Sequence, residues 1–406
     1  MGVPPPPASE PPAPRRLGPV TLHPGVWASA GLFASALLCF ISIGATLPVL
    51  PTYVRGPLGA GDLAVGIVVG SFAVTSVVCR PIAGRQSDRR GRRIVLVAGA
   101  CAMALGGVLY LISDSVPTLV AARFVVGAGE GSVYTAGATW AVDLAPEDRR
   151  GLALGLFGLA VWGGLSLGPV AGELLRSGAG YDAVFVLTAA LPAAGALIAS
   201  RLPEPIDRAE LPPPQRTPLF PHAARRPGAA LALANVGYAA LAGFVVLALK
   251  SRGVDGGAAV FTAFAVAVFA ARVALSHVPD RAGPRPTATA AALLEATGLT
   301  VIAAAHSLQL ALLGALIVGV GFSMLFPSLA LMVVGDADDE RRGSALGAFT
   351  AFFDIGVGLG GPIAGATAAL AGYSAVFYIS AAAALASAAL AASYGQAPAA
   401  RLSRGA

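Results

Sequence analysis

Apolar residues in this chain come in long unbroken stretches, without the two-residue alternation of a half-buried strand or the 3.6-residue stripe of a surface helix. Twelve such runs are separated by short polar interruptions: 27–50, 64–84, 94–112, 116–142, 152–172, 182–200, 228–250, 258–279, 287–305, 308–334, 344–370 and 373–393. At ~1.5 Å per residue, each is long enough to cross about 30 Å of hydrocarbon as a helix. The pattern predicts an all-α integral membrane protein with twelve transmembrane helices. The longest polar interruption, 201–227, is rich in Pro and Arg and divides the runs into two sets of six. The predicted organisation is a disordered tail over 1–26, six-helix bundles over 27–200 and 228–394 with the loop 201–227 between them, and a tail over 395–406.

Composition excludes the other classes. Hydrophobic residues make up 56% of the 406 and charged residues 12%, about half the charge of an ordinary soluble domain. That is too little to coat a soluble surface, and the chain is too apolar to stay disordered. The net charge of +6 is carried almost wholly by Arg, since Lys250 is the only Lys. Twenty of the 27 basic residues fall on one side of the alternating runs, including Arg15, Arg16, Arg85, Arg89, Arg90, Arg149, Arg225, Arg285 and Arg341. Four fall on the other side (Arg55, Arg176, Lys250, Arg252), and Arg80, Arg123 and Arg272 lie within runs. This bias predicts that both termini and the central loop are cytoplasmic. It reads as topology and not as a nucleic-acid footprint. Cys39, Cys79 and Cys101 lie in or beside apolar runs without metal-ligand spacing, as small packing residues do. No cofactor or metal site is expected.

The two halves repeat. Asp-Arg-x-Gly-x-Arg stands at Asp88–Arg93 and again at Asp280–Arg285, 192 residues on. Arg-Arg-Gly-x-Ala-Leu-Gly recurs at Arg149–Gly155 and Arg341–Gly347, and Gly127-x-Gly129 matches Gly319-x-Gly321, at the same offset. Arg80 matches Arg272, and Gly-Pro-x-Ala-Gly recurs at Gly168–Gly172 and Gly361–Gly365, 193 apart. A duplicated unit with an even number of helices gives two parallel halves, an architecture that places a transport site at their interface.

Gly84-Arg-Gln-Ser-Asp88-Arg89-Arg90-Gly91-Arg92-Arg93 resembles the cytoplasmic loop signature of the major facilitator superfamily, with Gln86 in place of the usual Leu. Arg123-x-x-x-Gly127-x-Gly129 and Pro48-Val-Leu-Pro51 resemble further motifs of that family. Gly164-x-x-x-Gly168-Pro169-x-x-Gly172 resembles its antiporter motif, repeated by Gly361, Pro362 and Gly365. From about 27 to 394 the chain is similar to the twelve-helix drug:proton antiporter-like exporters. Gly129-Glu130 and Phe353-Asp354-x-Gly356-x-Gly358 are similar to an arabinose-efflux-like or metallophore-exporter-like branch. The resemblance implies export of a small organic solute (a drug, natural product or metabolite) by a non-enzyme, with protons as coupling ion and a monomer as the unit. An importer or uniporter of a sugar or metabolite is the alternative; a non-transporting receptor or scaffold is less favoured. The Ala/Gly/Arg-rich composition points to a bacterial plasma (inner) membrane.

Physical chemistry picks out the same residues. Asp88, Arg89, Gly91, Arg92 and Arg93, with Asp280, Arg281 and Gly283 as their repeat, are candidates for a cytoplasmic gating latch, because loop carboxylates can accept Arg or helix N-terminal N–H bonds. Gly164, Gly168 and Gly172 recur every four residues as a smooth stripe for close packing, and Pro169 removes a backbone donor. An ionisable group at a helix centre costs roughly 2.5–3.5 kcal/mol on insertion, so those present are rarely idle. Glu130 and Asp354 lie near mid-depth on opposite halves and are the candidate proton carriers. Arg123, two turns from Glu130 on the same face, and Glu295, within the ninth run, are weaker candidates for coupling or substrate contact. Tyr134, Trp140, Trp162, Tyr238, Phe326 and Phe353 are candidate aromatic lining, and are equally ordinary as packing or interfacial rings. Gly164-Leu-Ser166-Leu-Gly168 matches a hydrolase elbow, but inside an apolar span, with no histidine at membrane depth.

Overall fold

In the computed structural model, residues 24–146, 149–204, 221–336 and 342–394 are described. The expected tails lie almost wholly outside these residues, as does most of the central loop and Arg341. Secondary structure among the described residues is helical. The elements are α1 (Pro24–Thr46), α2 (Val49–Arg55), α3 (Asp62–Arg90), α4 (Arg92–Leu111), α5 (Val116–Asp143), α6 (Arg150–Ser200), α7 (His222–Ser251), α8 (Gly257–Leu275), α9 (Val278–Ala282), α10 (Pro284–Ala303), α11 (Leu308–Asp336) and α12 (Arg342–Ala392). Helix α7 begins inside the stretch read as loop, because residues 222–227 already belong to it.

Among the described residues, nine helices, with α1 and α2 taken together, are long and apolar enough to cross a membrane. Two of them, α6 and α12, each run 51 residues, or ~76 Å, far beyond one bilayer. Each is broken at one glycine, Gly180 (φ 85°) and Gly372 (φ 80°), where L side chains would be strained. Dividing both at these breaks and adding the 28-residue α5 gives twelve membrane-length segments.

The breaks stand 192 residues apart, and so do Gly91 (φ 98°) and Gly283 (φ 89°), which turn the chain between α3 and α4 and between α9 and α10. The repeat extends to packing. Gly127 fits against the Phe72 carbonyl as Gly319 fits against that of Phe264, and Gly129 against Gly99 as Gly321 against Ala291. The first half comprises α1–α6 and the second α7–α12.

The halves meet along two seams. Helix α3 lies on the first arm of α12, where Gly66 and Gly70 face Gly358, Gly361, Pro362 and Gly365; a Cβ on Gly361 would stand 2.8 Å from the Gly70 nitrogen. At its outer end this seam closes with a 2.9 Å hydrogen bond from Tyr373 Oη to Asp62. The second seam joins α6 and α8, where Ser166 Oγ donates to the Ala265 carbonyl at 2.8 Å. Both seams lie toward the end away from the termini. Nearer the termini, the described contacts of α3 turn inward to its own half, with Gly84 near Thr135 and Asp88 on Arg92. The buried core shows the same division: one cluster spans both halves at the seam end, whereas nearer the termini the core separates into one cluster around Leu32, Leu96 and Trp140 and another around Leu231, Leu329 and Phe349. The molecule is closed at one end and open at the end that carries Pro24, Ser200, His222 and Ala392.

Candidate functional site

The site assembles where the α3–α12 seam ends. Arg80 stands on α3 just before Pro81, with its guanidinium 10% exposed. Its Nε donates to Asp354 Oδ2 of the other half at 2.5 Å and its Nη2 to Asp354 Oδ1 at 3.2 Å. The same Nη2 reaches Glu130 Oε1 of its own half at 3.2 Å. Glu130 also accepts a 2.6 Å hydrogen bond from Ser76 Oγ. The Arg80 guanidinium lies 4.6 Å from the Tyr134 ring centroid. One cation therefore holds two carboxylates from opposite halves, both buried.

Local sequence makes the approach possible. On α5, a side chain at Gly127 would overlap the Phe72 carbonyl of α3, and a Cβ at Gly131 would sit 2.9 Å from the Ser76 oxygen. These two glycines let α5 lie flat on α3, which brings Glu130 onto Ser76 and Arg80. On α12, Gly356 packs into α7 at Ala232 and Asn235, and Gly358 lies against Ala73 of α3. Asp354 is held between them.

The sequence-derived candidates separate in space. Glu130 and Asp354 come together. Arg123 does not join them: its Nε and Nη2 donate to the Val68 and Val69 carbonyls of α3 at 3.0 Å each, and its guanidinium covers the Phe72 ring at 4.4 Å. Two turns of α5 place it on the same face as Glu130 but toward the closed end, where it ties α5 to α3. Glu295 is also apart. It is fully buried in the second half, where a Cβ on Gly237 of α7 would meet its Oε1 at 2.9 Å, and neither oxygen has a hydrogen-bond partner in the structure. Its repeat equivalent is Met103, a core residue.

Among the loop residues, Arg92 is buried and pairs with Asp88 at 2.5 Å and with Asp143 of α5 at 2.9 Å. The α4 N-terminus is capped not by Asp88 but by Glu204, which accepts from the Arg92 and Arg93 backbone N–H groups at 2.7 and 3.1 Å. Arg93 Nη1 donates to the Leu202 carbonyl, and Arg89 is exposed. These contacts stay within the first half. In the repeat, Asp280 and Arg281 are exposed, and Gly283 accepts from Thr287 Oγ1 at 2.7 Å.

The two glycine motifs face different partners. Gly164, Gly168 and Gly172 pack on α1 of their own half, with Gly164 against Phe40 and Ile41 and Gly168 against Gly44, and Pro169 meets Gly44 there. Gly356 and Gly360 are their counterparts against α7, while Gly361, Pro362 and Gly365, one position further round, form the seam between halves. The offset of 193 rather than 192 is this change of face.

Arg80, which no local motif marks as a site residue, is the centre of the cluster. Its signal was present: it recurs at Arg272, inside a run, where topology requires no charge. Among the described residues, no group of His, Cys, Asp and Glu is arranged to hold a metal ion.

The family model "Major Facilitator Superfamily" matches residues 32–259 and 248–405. An uncharacterized MFS-type transporter of Salmonella typhimurium is 36% identical over 367 residues, covering 88% of this chain and 94% of that protein. The uncharacterized MFS-type transporter YhhS of Escherichia coli is 29% identical over 351 residues, covering 84% and 86%. Among solved structures, the human organic anion transporter MFSD10 superposes with a TM-score of 0.72 at 19% identity, over 91% of this chain and all of that one. The nucleoside transporter NupG gives 0.76 at 15% identity, over 90% and 100%. At such identities these two likenesses bear on the fold.

Proposed function

This chain belongs to the Major Facilitator Superfamily, and on that premise we propose that it is a proton-coupled secondary transporter that exports a small organic solute across the bacterial plasma membrane. Asp354 and Glu130 are the proton carriers, and Arg80 is the cation they share. The observation that carries the reading is the 2.5 Å Arg80–Asp354 pair, which joins the two halves at the point where they begin to part. One guanidinium against two carboxylates leaves a surplus negative charge, and a proton on one of them balances it. A proton on Asp354 removes its charge and weakens its hold on Arg80, so proton occupancy is linked to whether the halves are tied. Removing one partner of a buried pair costs about 3–5 kcal/mol, enough to reverse an equilibrium between two conformations. The seam glycines give the halves a smooth surface on which to rock.

Export in exchange for protons rests on the likeness of Gly164–Gly172 to the antiporter motif. In proteoliposomes, an imposed pH gradient is expected to drive concentrative solute movement by the native protein. Asp354→Asn and Glu130→Gln are expected to lose it by roughly tenfold or more. Flux indifferent to the gradient, or unchanged in both variants, contradicts the coupling. A second reading, movement of solute and proton in the same direction, is favoured by Arg272. This cation faces the other half without a carboxylate, so the cluster becomes positive once a proton is aboard.

A further inference from the structure

Arg272 is the repeat equivalent of Arg80, yet its surroundings are inverted. At an offset of 192, Glu130 corresponds to Phe322 and Asp354 to Trp162. Both acids that hold Arg80 are thus replaced by aromatic rings around Arg272. Its Nη2 donates to the Ser323 carbonyl at 2.9 Å, and its guanidinium stands 5.4 Å from the Trp162 ring centroid of the other half. Its Nε is buried without a hydrogen-bond partner, and among the described residues no carboxylate pairs with it.

The rings form one connected wall across both halves. Trp162 meets Phe322 and Phe353 edge-on at 5.3 and 6.4 Å, and Tyr238 stacks on Phe322 at 5.5 Å with an interplanar angle of 23°. Tyr134, whose ring carries the Arg80 guanidinium 4.6 Å from its centroid, borders the same site. Trp162, Phe353 and Tyr134 are each only partly buried, so this wall has open faces.

The charge is not compensated by what surrounds it. A cation–π contact repays only a small part of what it costs to take a charge out of water. Arg80 answers that cost with two carboxylates, and Arg272 has none. A guanidinium with a free, buried Nε–H is suited to two-point recognition of a carboxylate or other oxyanion.

We infer that Arg272 anchors the anionic group of the transported solute, and that this solute is an organic anion with a planar aromatic body lying against Trp162 and Phe353. The inference rests on the reading of this interface as the solute path, but on neither the direction of transport nor its coupling to protons. A cationic solute placed against these rings would meet the uncompensated Arg272 and be repelled by it.

The test uses the full chain in lipid nanodiscs, titrated calorimetrically with three probes that share one ring system: 2-naphthoate, 2-naphthamide and 2-naphthylmethylammonium. The native protein is expected to bind 2-naphthoate roughly tenfold more tightly than either other probe. Arg272→Gln brings 2-naphthoate down to the level of the amide and leaves the amide unchanged. Arg272→Lys, which keeps the charge and loses the fork, falls between and carries the test if the Gln variant does not fold. Equal affinity for the three probes, preference for the ammonium, no binding of any probe, or affinity for 2-naphthoate untouched by the Arg272 substitution overturns the inference. Loss of pH-driven flux with this binding order intact would instead count against the coupling alone.

Discussion

Arg80, Asp354 and Glu130 show how a single side chain changes the meaning of two others. Each acid alone, buried at mid-depth, is a costly charge; with the guanidinium between them they become a link between halves. Glu295 is the contrast, a fully buried carboxyl with two unpartnered oxygens, far from any such link. Leaving a buried polar group unsatisfied costs about 1–3 kcal/mol. Glu295→Leu is therefore expected to raise the thermal unfolding midpoint by a few degrees in a scanning fluorescence assay, while coupling persists. A lowered midpoint would assign Glu295 a partner or a task. The acids were legible because a carboxylate inside an apolar run is conspicuous in any window of sequence. Arg80 was not, because it sits near an Arg-rich loop and its decisive partner is 274 residues away. Arg123 shares a helical face with Glu130, but periodicity is silent on the carbonyls of α3 that claimed its guanidinium.

At the scale of elements, close approach is governed by where glycine stands. Gly66, Gly70, Gly361 and Gly365 allow α3 and α12 to touch backbone to backbone at the closed end, and a Cβ on Gly365 would come within 2.6 Å of the Asp62 carbonyl. Gly361→Ala is expected to wedge this seam and shift the population toward opening at the end away from the termini. With Cys39, Cys79 and Cys101 replaced by alanine, accessibility of a cysteine in place of Val69, which is buried on α3 against Gly243 of α7, to a membrane-impermeant thiol reagent would report it. Unchanged labelling would contradict the seam's role. Gly168→Ala should instead loosen α6 from α1 within one half. Which glycines form the seam could not be read from spacing, since Gly168 and Gly361 share a motif and differ by one residue in register. The positive-φ turns were more legible. Gly91 and Gly283 occupy the same place in a repeated string, and both adopt the conformation that favours glycine. Glu204, which caps α4 beside Gly91, comes from beyond α6 and had no local signal.

For the molecule as a whole, the apolar runs and the 192-residue repeat were enough to foresee a helical membrane protein of two parallel halves, because both follow from bilayer thickness and duplication. The open and closed ends were not foreseeable, as they depend on which of two packings the same seams adopt. The described contacts join the halves from the outer seam down to Arg80 and Asp354 and no further toward the termini. The central claim is that this ion pair holds the molecule in the state seen here and that neutralising Asp354 releases it. The most direct measurement is a pulsed electron–electron distance between spin labels at positions 85 and 347, on exposed residues near the open ends of α3 and α12, with Cys39, Cys79 and Cys101 replaced by alanine. Asp354→Asn is expected to move the distribution toward shorter distances, as the end bearing the termini closes. A distribution identical to that of the native protein would contradict the claim.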